Sequence, residues 1–164
     1  MNWLGTMIQK HIGLNDAVLD LGCGVMSATD GLKAKSILGV DIWDKYLNAI
    51  KDRFQTIKLS MIETDRFMDQ SYDVVICLDV LEHLNYNLAF KMLGECKRIA
   101  RKKVIIYTPS KHKDNSNAEN NAWGLGECEY QKHISVLTLD DFKLEGYNVT
   151  DPMKDDSHYA IWVR

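Results

Sequence analysis

Five short runs rich in valine and isoleucine, at 17–21, 36–40, 56–61, 72–78 and 103–108, alternate with segments of helical periodicity. That alternation constrains the fold more than any other feature, because it reads as consecutive β-α-β units and therefore as a parallel sheet in an α/β protein. The helix between the fourth and fifth runs is the clearest. Ala89, Met92, Leu93, Cys96, Ile99 and Ala100 form one apolar stripe at helical spacing, and Asn85 or Asn87 can cap its start. Lys97, Arg98, Arg101, Lys102 and Lys103 crowd its end, where cations complement the helix dipole, so a structural role accounts for most of this basic cluster. Towards the C-terminus, residues 138–142 start a short helix, while 146–150 and 158–164 read as strands. No helix separates these two, which predicts an antiparallel hairpin.

A chain of 164 residues that is 46% apolar can bury a sizeable core without disulfides or metals, so one domain over 1–164 is expected. A formal charge of -3 gives no general attraction to phosphate backbones, which disfavours nucleic acid and favours a small or uncharged substrate. Cys23, Cys77, Cys96 and Cys128 are far apart with no C-x-x-C pair, and they are read as reduced thiols. The His and Cys spacing likewise suggests no metal site. The start "MNWLGTMIQKHIGL" lacks the apolar stretch of a signal peptide and no later run approaches the length of a membrane span, so the expectation is a cytoplasmic protein without a membrane partner.

The stretch "VLDLGCGVMSATDGL" carries the first chemical signal. A strand, a glycine turn and a following helix would put free backbone N–H groups and a positive dipole end at the sheet's carboxyl edge, and glycines let a ligand approach the backbone. The next strand ends on Asp41 in "ILGVDIWD", where a carboxylate can accept from both hydroxyls of a ribose. Gly22-Cys23-Gly24-Val25-Met26-Ser27 lacks the third glycine of a dinucleotide fingerprint. Asp20, two residues before the first glycine, would repel phosphate and attract an ammonium or sulfonium. These residues together ask for a cationic nucleoside.

On "LDLGCG", "LGVD" and "YDVVICLDVLEHL", with the later "VIIYTPS" and "EYQKHISVLTLDDFKLEGYNV", the chain resembles the class I S-adenosylmethionine-dependent methyltransferases. Within them it is similar to the compact UbiE/UbiG-like branch, methyltransferase types 11 and 12. The resemblance implies a Rossmann-like fold, a mostly parallel seven-stranded sheet with an antiparallel last strand and helices on both faces. It departs from the pattern at Met26, where many relatives have a glycine. Only about 16 residues precede the first strand, so no N-terminal substrate cap is expected and selection falls to the long polar loop at about 110–134, a candidate lid.

The resemblance also implies S-adenosyl-L-methionine as cofactor and S-adenosyl-L-homocysteine as product. Asp20, Gly22, Cys23 and Gly24 would hold its methionine end, Asp41 its ribose and Ile42 its adenine face. The adenine amino group would meet Glu63, Thr64 or Asp65, with Glu63 preferred, and Asp79 and Val80 would reach the cleft mouth near the methionine portion. Glu82 is read as structural or solvated, whereas His83 either packs the loop or touches substrate. A sulfonium is already activated, so holding the nucleophile in line is the main task, worth ~7 to 11 kcal/mol, and proton removal adds a factor of ~100 to 10,000. His133, at the end of the loop, is the candidate base with His83 as second catalytic candidate. His112 and Tyr130 could line a substrate pocket, and Trp123 with Gly124 and Gly126 would form a movable lid tip. His11 and His158 have no assigned role.

No D/N-P-P-Y/F run follows the fourth strand, which disfavours methylation of exocyclic base amines. The expected acceptor is a small molecule methylated at oxygen or nitrogen. The alternatives are an RNA or protein methyltransferase and a non-catalytic cofactor-binding partner subunit, and a protein partner or a homodimer stays open.

Overall fold

In the computed structural model, which describes residues 2–113, 123–150 and 156–164, the apolar runs pair into one sheet. The strands are β1 (Ala17–Leu21), β2 (Ser36–Asp41), β3 (Gln55–Lys58), β4 (Tyr72–Leu78), β5 (Ala100–Pro109), β6 (Asn148–Thr150) and β7 (Ser157–Val163). They form a seven-stranded sheet in the order β3-β2-β1-β4-β5-β7-β6. The first five are parallel, and β7 runs antiparallel to both β5 and β6, as the helix-free connection between the last two strands requires. The order reverses at β1, so the carboxyl ends of β1, β2 and β4 open beside the point where an open α/β sheet offers a crevice.

Alternate residues of the central strands serve two cores. Leu19, Leu21, Val75, Cys77, Val104 and Ile106 face α3 (Tyr86–Ile99) and α4 (Leu139–Leu144), while Val18, Val74, Ile76, Ile105 and Tyr107 face α1 (Trp3–Gln9). Asp20 shares the second row by its register with Val18, which puts a carboxylate at the apolar strand's tip. Helix α3 buries the predicted stripe Ala89, Met92, Leu93, Cys96 and Ile99, and the Asn85 side chain caps it by accepting from Leu88 N. Truncating Leu93 there would cost about 2–5 kcal/mol. Thr138 opens α4 with a capping box to Asp141. The basic cluster at the end of α3 is paired: Lys97 with Glu145, Arg98 with Asp69 and Glu95, Arg101 with Asp73, and Lys102 with Asp16 and Asp73. Lys103 donates to the His11 carbonyl.

Two expectations need correction. β3 stops at Lys58 rather than reaching Met61, because Leu59 N makes the last bond to β2 and Glu63 then accepts from Ser60 N and turns the chain. More important, no helix follows the glycine turn. Residues 22–35 cross from β1 to β2 through successive turns held by bonds such as Met26 N to Cys23 O and Asp30 N to Met26 O. A short helix, α2 (Asp44–Ile50), lies instead after β2 and packs Leu47 and Ile50 against Cys23 and Met26. Among the described residues no helix is long and apolar enough to cross a membrane.

Candidate functional site

The glycine turn folds back on β2. Gly22 N and Cys23 N both donate to the Val40 carbonyl, at 2.8 and 2.9 Å, and Gly24 N donates to Asp41 Oδ2 at 2.9 Å. The N–H groups expected to face a ligand are thus used within the fold, and with no helix behind them there is no dipole end either. What the turn presents is a pair of carboxylates. Asp20 is 2% exposed and accepts from the Thr29 hydroxyl, and Asp41 is 8% exposed, its other oxygen accepting from Trp43 N at 2.9 Å. Burial pushes the Asp20 carboxyl up to about 7, with the charge of Asp41 adding to the effect and the Thr29 hydroxyl opposing it. Burial also raises Asp41, against the backbone N–H bonds that favour its ionised form.

Each glycine has its own reason to be there. Gly22 has φ 72°, and a Cβ on it would lie 2.2 Å from Val80 Cγ2, so it lets β4's following residue close over β1. Gly24 has φ 52°, the left-handed conformation that favours glycine, while a Cβ there would only reach ordinary contact with the Trp123 ring 3.6 Å away. Met26, at the position where relatives place another glycine, also has a left-handed backbone, φ 55°, while its side chain is buried against Cys23 and α2. The departure therefore keeps the turn's shape and costs roughly 1–2 kcal/mol of backbone strain, offset by packing. Cys23 Sγ would touch a Cβ on Gly39, and burial raises its thiol, so it acts as packing rather than as a nucleophile.

Asp20, Gly22, Cys23, Gly24, Asp41, Ile42, Asp79, Val80 and His83 all line one cleft of about 480 Å³. Asp79 stands exposed at the tip of β4 with φ 50°, its N–H bonded to the Tyr107 carbonyl. Glu63 and Thr64 are not part of the wall. Glu63 accepts from Ser60 N and Thr64 is buried against α3, its carbonyl accepting from Arg98. Asp65 does not line the cleft either, and Ser60 and Met61 occupy that side. His133 is also absent from the wall and packs edge-on against His83, ring centroids 5.1 Å apart. His11 and His158 lie away from the cleft, against Tyr159 and Phe142 respectively.

Several wall residues escaped the sequence reading. Asn2, Trp3 and Leu4 at the start of α1 line the cleft, so the short N-terminal segment does contribute to it. Asn2 caps α1 through Gly5 N and reaches the Ser27 carbonyl, while Trp3 meets Tyr107 edge-on at 5.7 Å. An asparagine cap before an apolar residue was the available signal. Of the predicted lid, 114–122 lie outside the described residues. Residues 123–134 form the roof: Trp123 packs on Tyr46, the Leu125 carbonyl accepts from Lys45, and Cys128, Glu129, Tyr130, Gln131 and Ile134 face the cleft. Trp3, Trp123, Tyr130 and Ile134 are exposed and leave an apolar rim. His112 does not line the cleft.

At its inner end the roof is pinned to the 3-10 turn Leu81–His83. Ile134 N and Ser135 N donate to the Glu82 carbonyl, the Ser135 hydroxyl donates to the Leu84 carbonyl, and Lys132 O faces His83 Nδ1 at 3.2 Å. Glu82 is buried rather than solvated, accepts from the Thr108 hydroxyl at 2.9 Å, and is raised to about 7, chiefly by burial. Burial lowers both His83 and His133, which favours neutral imidazoles at neutral pH. Ligand-type atoms of Glu82, His83 and His133 all lie within 4.8 Å of one another. The spacing argument against a metal site did not foresee this group, because His133 joins the other two only through the fold.

Among solved structures, the chain resembles the magnesium protoporphyrin IX methyltransferase of Synechocystis PCC 6803 with bound SAH, at TM-score 0.70 and 19% identity over 98% of this chain and 79% of that one. It also resembles a SAM-dependent methyltransferase of Archaeoglobus fulgidus, at TM-score 0.66 and 15% identity over 98% and 94%. At these identities the likeness is one of fold. Among curated proteins it is 27% identical over 132 residues to an uncharacterized protein of Methanocaldococcus jannaschii, 80% of this chain and 55% of that one. It is 31% identical over 84 residues to the ubiquinone biosynthesis O-methyltransferase of Nitrosomonas europaea, 44% of this chain and 35% of that one. The chain thus spans about half the length of the first of these relatives and about a third of the second. Residues 19–108, more than half of the sequence and the part that builds both acidic strand tips, match the methyltransferase domain family, and to that family the chain belongs.

Proposed function

We propose that this chain is an S-adenosylmethionine-dependent methyltransferase that methylates an oxygen or nitrogen of a small-molecule acceptor. The observation that carries the reading is the pair of buried carboxylates, Asp20 and Asp41, opening on one cleft at adjacent strand tips. The donor set fits the cofactor. Asp20 in a low-dielectric wall suits a positive group and would repel a phosphate. Backbone N–H groups of Gly24, Trp43 and Ile42 engage the Asp41 carboxylate and fix it in advance, with lone pairs left to accept from a ribose hydroxyl. Ile42 and Met61 offer apolar faces to a base, and Ser60 takes over the polar role expected of Glu63.

The cofactor supplies a methyl group already activated on a sulfonium. What the chain's own residues supply is position and exclusion of water: Trp123 and the roof cover one side, Trp3 and Tyr107 wall the other. For the proton that an oxygen or nitrogen acceptor releases, the neutral imidazoles at hand are His83 on the wall and His133 behind it. A small acceptor is favoured over RNA because the basic cluster where α3 passes into β5 is already engaged by carboxylates and a carbonyl. Calorimetric titration with S-adenosylmethionine tests the cofactor site. Saturable binding that disappears in Asp41→Ala is expected, and absence of binding by the unmodified protein refutes the reading. Labelled cofactor with a metabolite extract then identifies the acceptor by mass spectrometry, and no labelled small molecule would shift the reading to a macromolecular acceptor or a non-catalytic subunit.

A further inference from the structure

We infer that Glu82, His83 and His133 form a divalent-cation site behind the cleft wall that His83 lines, of the type that takes a first-row transition ion. Two imidazole nitrogens and one carboxylate oxygen, all within 4.8 Å, are the donor set that suits zinc, manganese or iron and leaves coordination positions open. A tetrahedral ion with bonds of about 2.0–2.1 Å has ligand edges of roughly 3.3 Å, so binding draws the three side chains together by rotation.

The supports around the ligands point the same way. The Thr108 hydroxyl holds one Glu82 oxygen, and the Lys132 carbonyl at His83 Nδ1 and the Asp79 carbonyl both bond to the His83 ring, the kind of outer partners that orient a ligating imidazole and carboxylate. Backbone bonds from Ile134 and Ser135 to the Glu82 carbonyl bring His133 to a residue about fifty positions earlier. The carboxylates of Asp41 and Asp79 also act on His83 and add to the negative field. Against them stands Lys113, whose ammonium acts on both Glu82 and His133. It ends a long flexible side chain and is the group that an entering ion displaces.

Because His83 also belongs to the cleft wall, an ion here faces the acceptor space. This role deepens the proposed methyl transfer and rests on it. A hydroxyl reaching an open position loses its proton to solvent, since a bound cation lowers its pKa. The oxygen lone pair then forms the bond to the methyl carbon as the carbon–sulfur pair returns to sulfur, leaving a thioether. On this reading the two histidines hold the ion instead of serving as bases.

The test is calorimetric titration of the chelator-stripped protein with Zn²⁺ and with Mn²⁺, and the absorption spectrum with Co²⁺. One equivalent of ion is expected, with affinity at least tenfold weaker in His133→Ala and His83→Ala, and tighter in Lys113→Ala. Thermal melts report whether each variant is folded, and His133→Ala, a half-buried position, serves if the Glu82→Gln variant fails to fold. No saturable binding, unchanged affinity in a folded His133→Ala, or weaker binding in Lys113→Ala would overturn the site. Cofactor titrations run in parallel keep the two readings apart: ion binding without S-adenosylmethionine binding sinks the proposed function and leaves this site standing, and the reverse result does the opposite.

Discussion

The two walls of the cleft are built by different means. The wall at the tips of β1 and β2 is made of buried residues whose backbone bonds run within the sheet, down to Gly24 and Trp43 fixing both oxygens of Asp41. The wall at α1 and the roof presents exposed rings, Trp3, Trp123 and Tyr130, to the cleft. A rigid, charged wall suits a constant ligand whose shape never varies. An exposed aromatic wall suits one that varies from relative to relative, because rings supply area without demanding exact polar partners.

Four substitutions or titrations can break or sharpen this contrast. The largest effect is expected for Asp41→Ala: two charge-assisted hydrogen bonds at about 1.5–3 kcal/mol each predict a loss of S-adenosylmethionine affinity of roughly 100-fold or more by calorimetry. A loss below tenfold would mean the first wall does not bind the ribose. Gly22→Ala should destabilise the fold by roughly 3 kcal/mol in denaturant unfolding, from positive φ and the Val80 clash together. The double variant with Val80→Ala should regain only part of the steric cost, since the Val80 Cβ itself would lie 2.8 Å from the added Cβ, and full recovery would show that the backbone conformation is unstrained.

Asp20 predicts a pH effect with two signs. Its carboxyl lies near 7 in the fold, so a positively charged ligand meets a neutral acid below that value and a carboxylate above it. Cofactor affinity should rise up to about tenfold between about pH 6 and pH 7.5. Stability runs the other way: the native state keeps a proton that the unfolded chain releases near 3.8, so this contribution is complete below that value and is lost as pH rises through 7. Asp20→Asn should flatten the affinity profile and raise the Tm at about pH 8, and a profile unchanged by the substitution would remove Asp20 from the site. The smallest effect is expected for Trp3→Ala, which should raise the acceptor KM about tenfold while cofactor Kd stays within about twofold. A larger change in cofactor Kd would show that the two walls are one.

The parallel sheet, the stripe of α3, its Asn85 cap and the two acidic tips were legible because each depends on periodicity or on a residue type at a strand end. The missing helix after Gly24 was not: a glycine turn followed by polar residues reads alike whether the crossover coils or merely turns. Glu63 is a polar residue after the third strand at a distance from Asp73, yet its carboxylate caps the turn at Ser60. Trp3 carries no site signal in the sequence, and only its seat against Tyr107 brings it into the cleft.

The sequence by itself determined the succession of the five parallel strands, the buried stripe of α3 and the carboxylates at the tips of β1 and β2, since all of these follow from local pattern. Only the tertiary structure decided that α1 and the roof meet over those tips and that His133 comes to rest beside Glu82 and His83. Those encounters are set by long-range packing and by backbone bonds such as Ile134 N to the Glu82 carbonyl, for which spacing along the chain carries no signal.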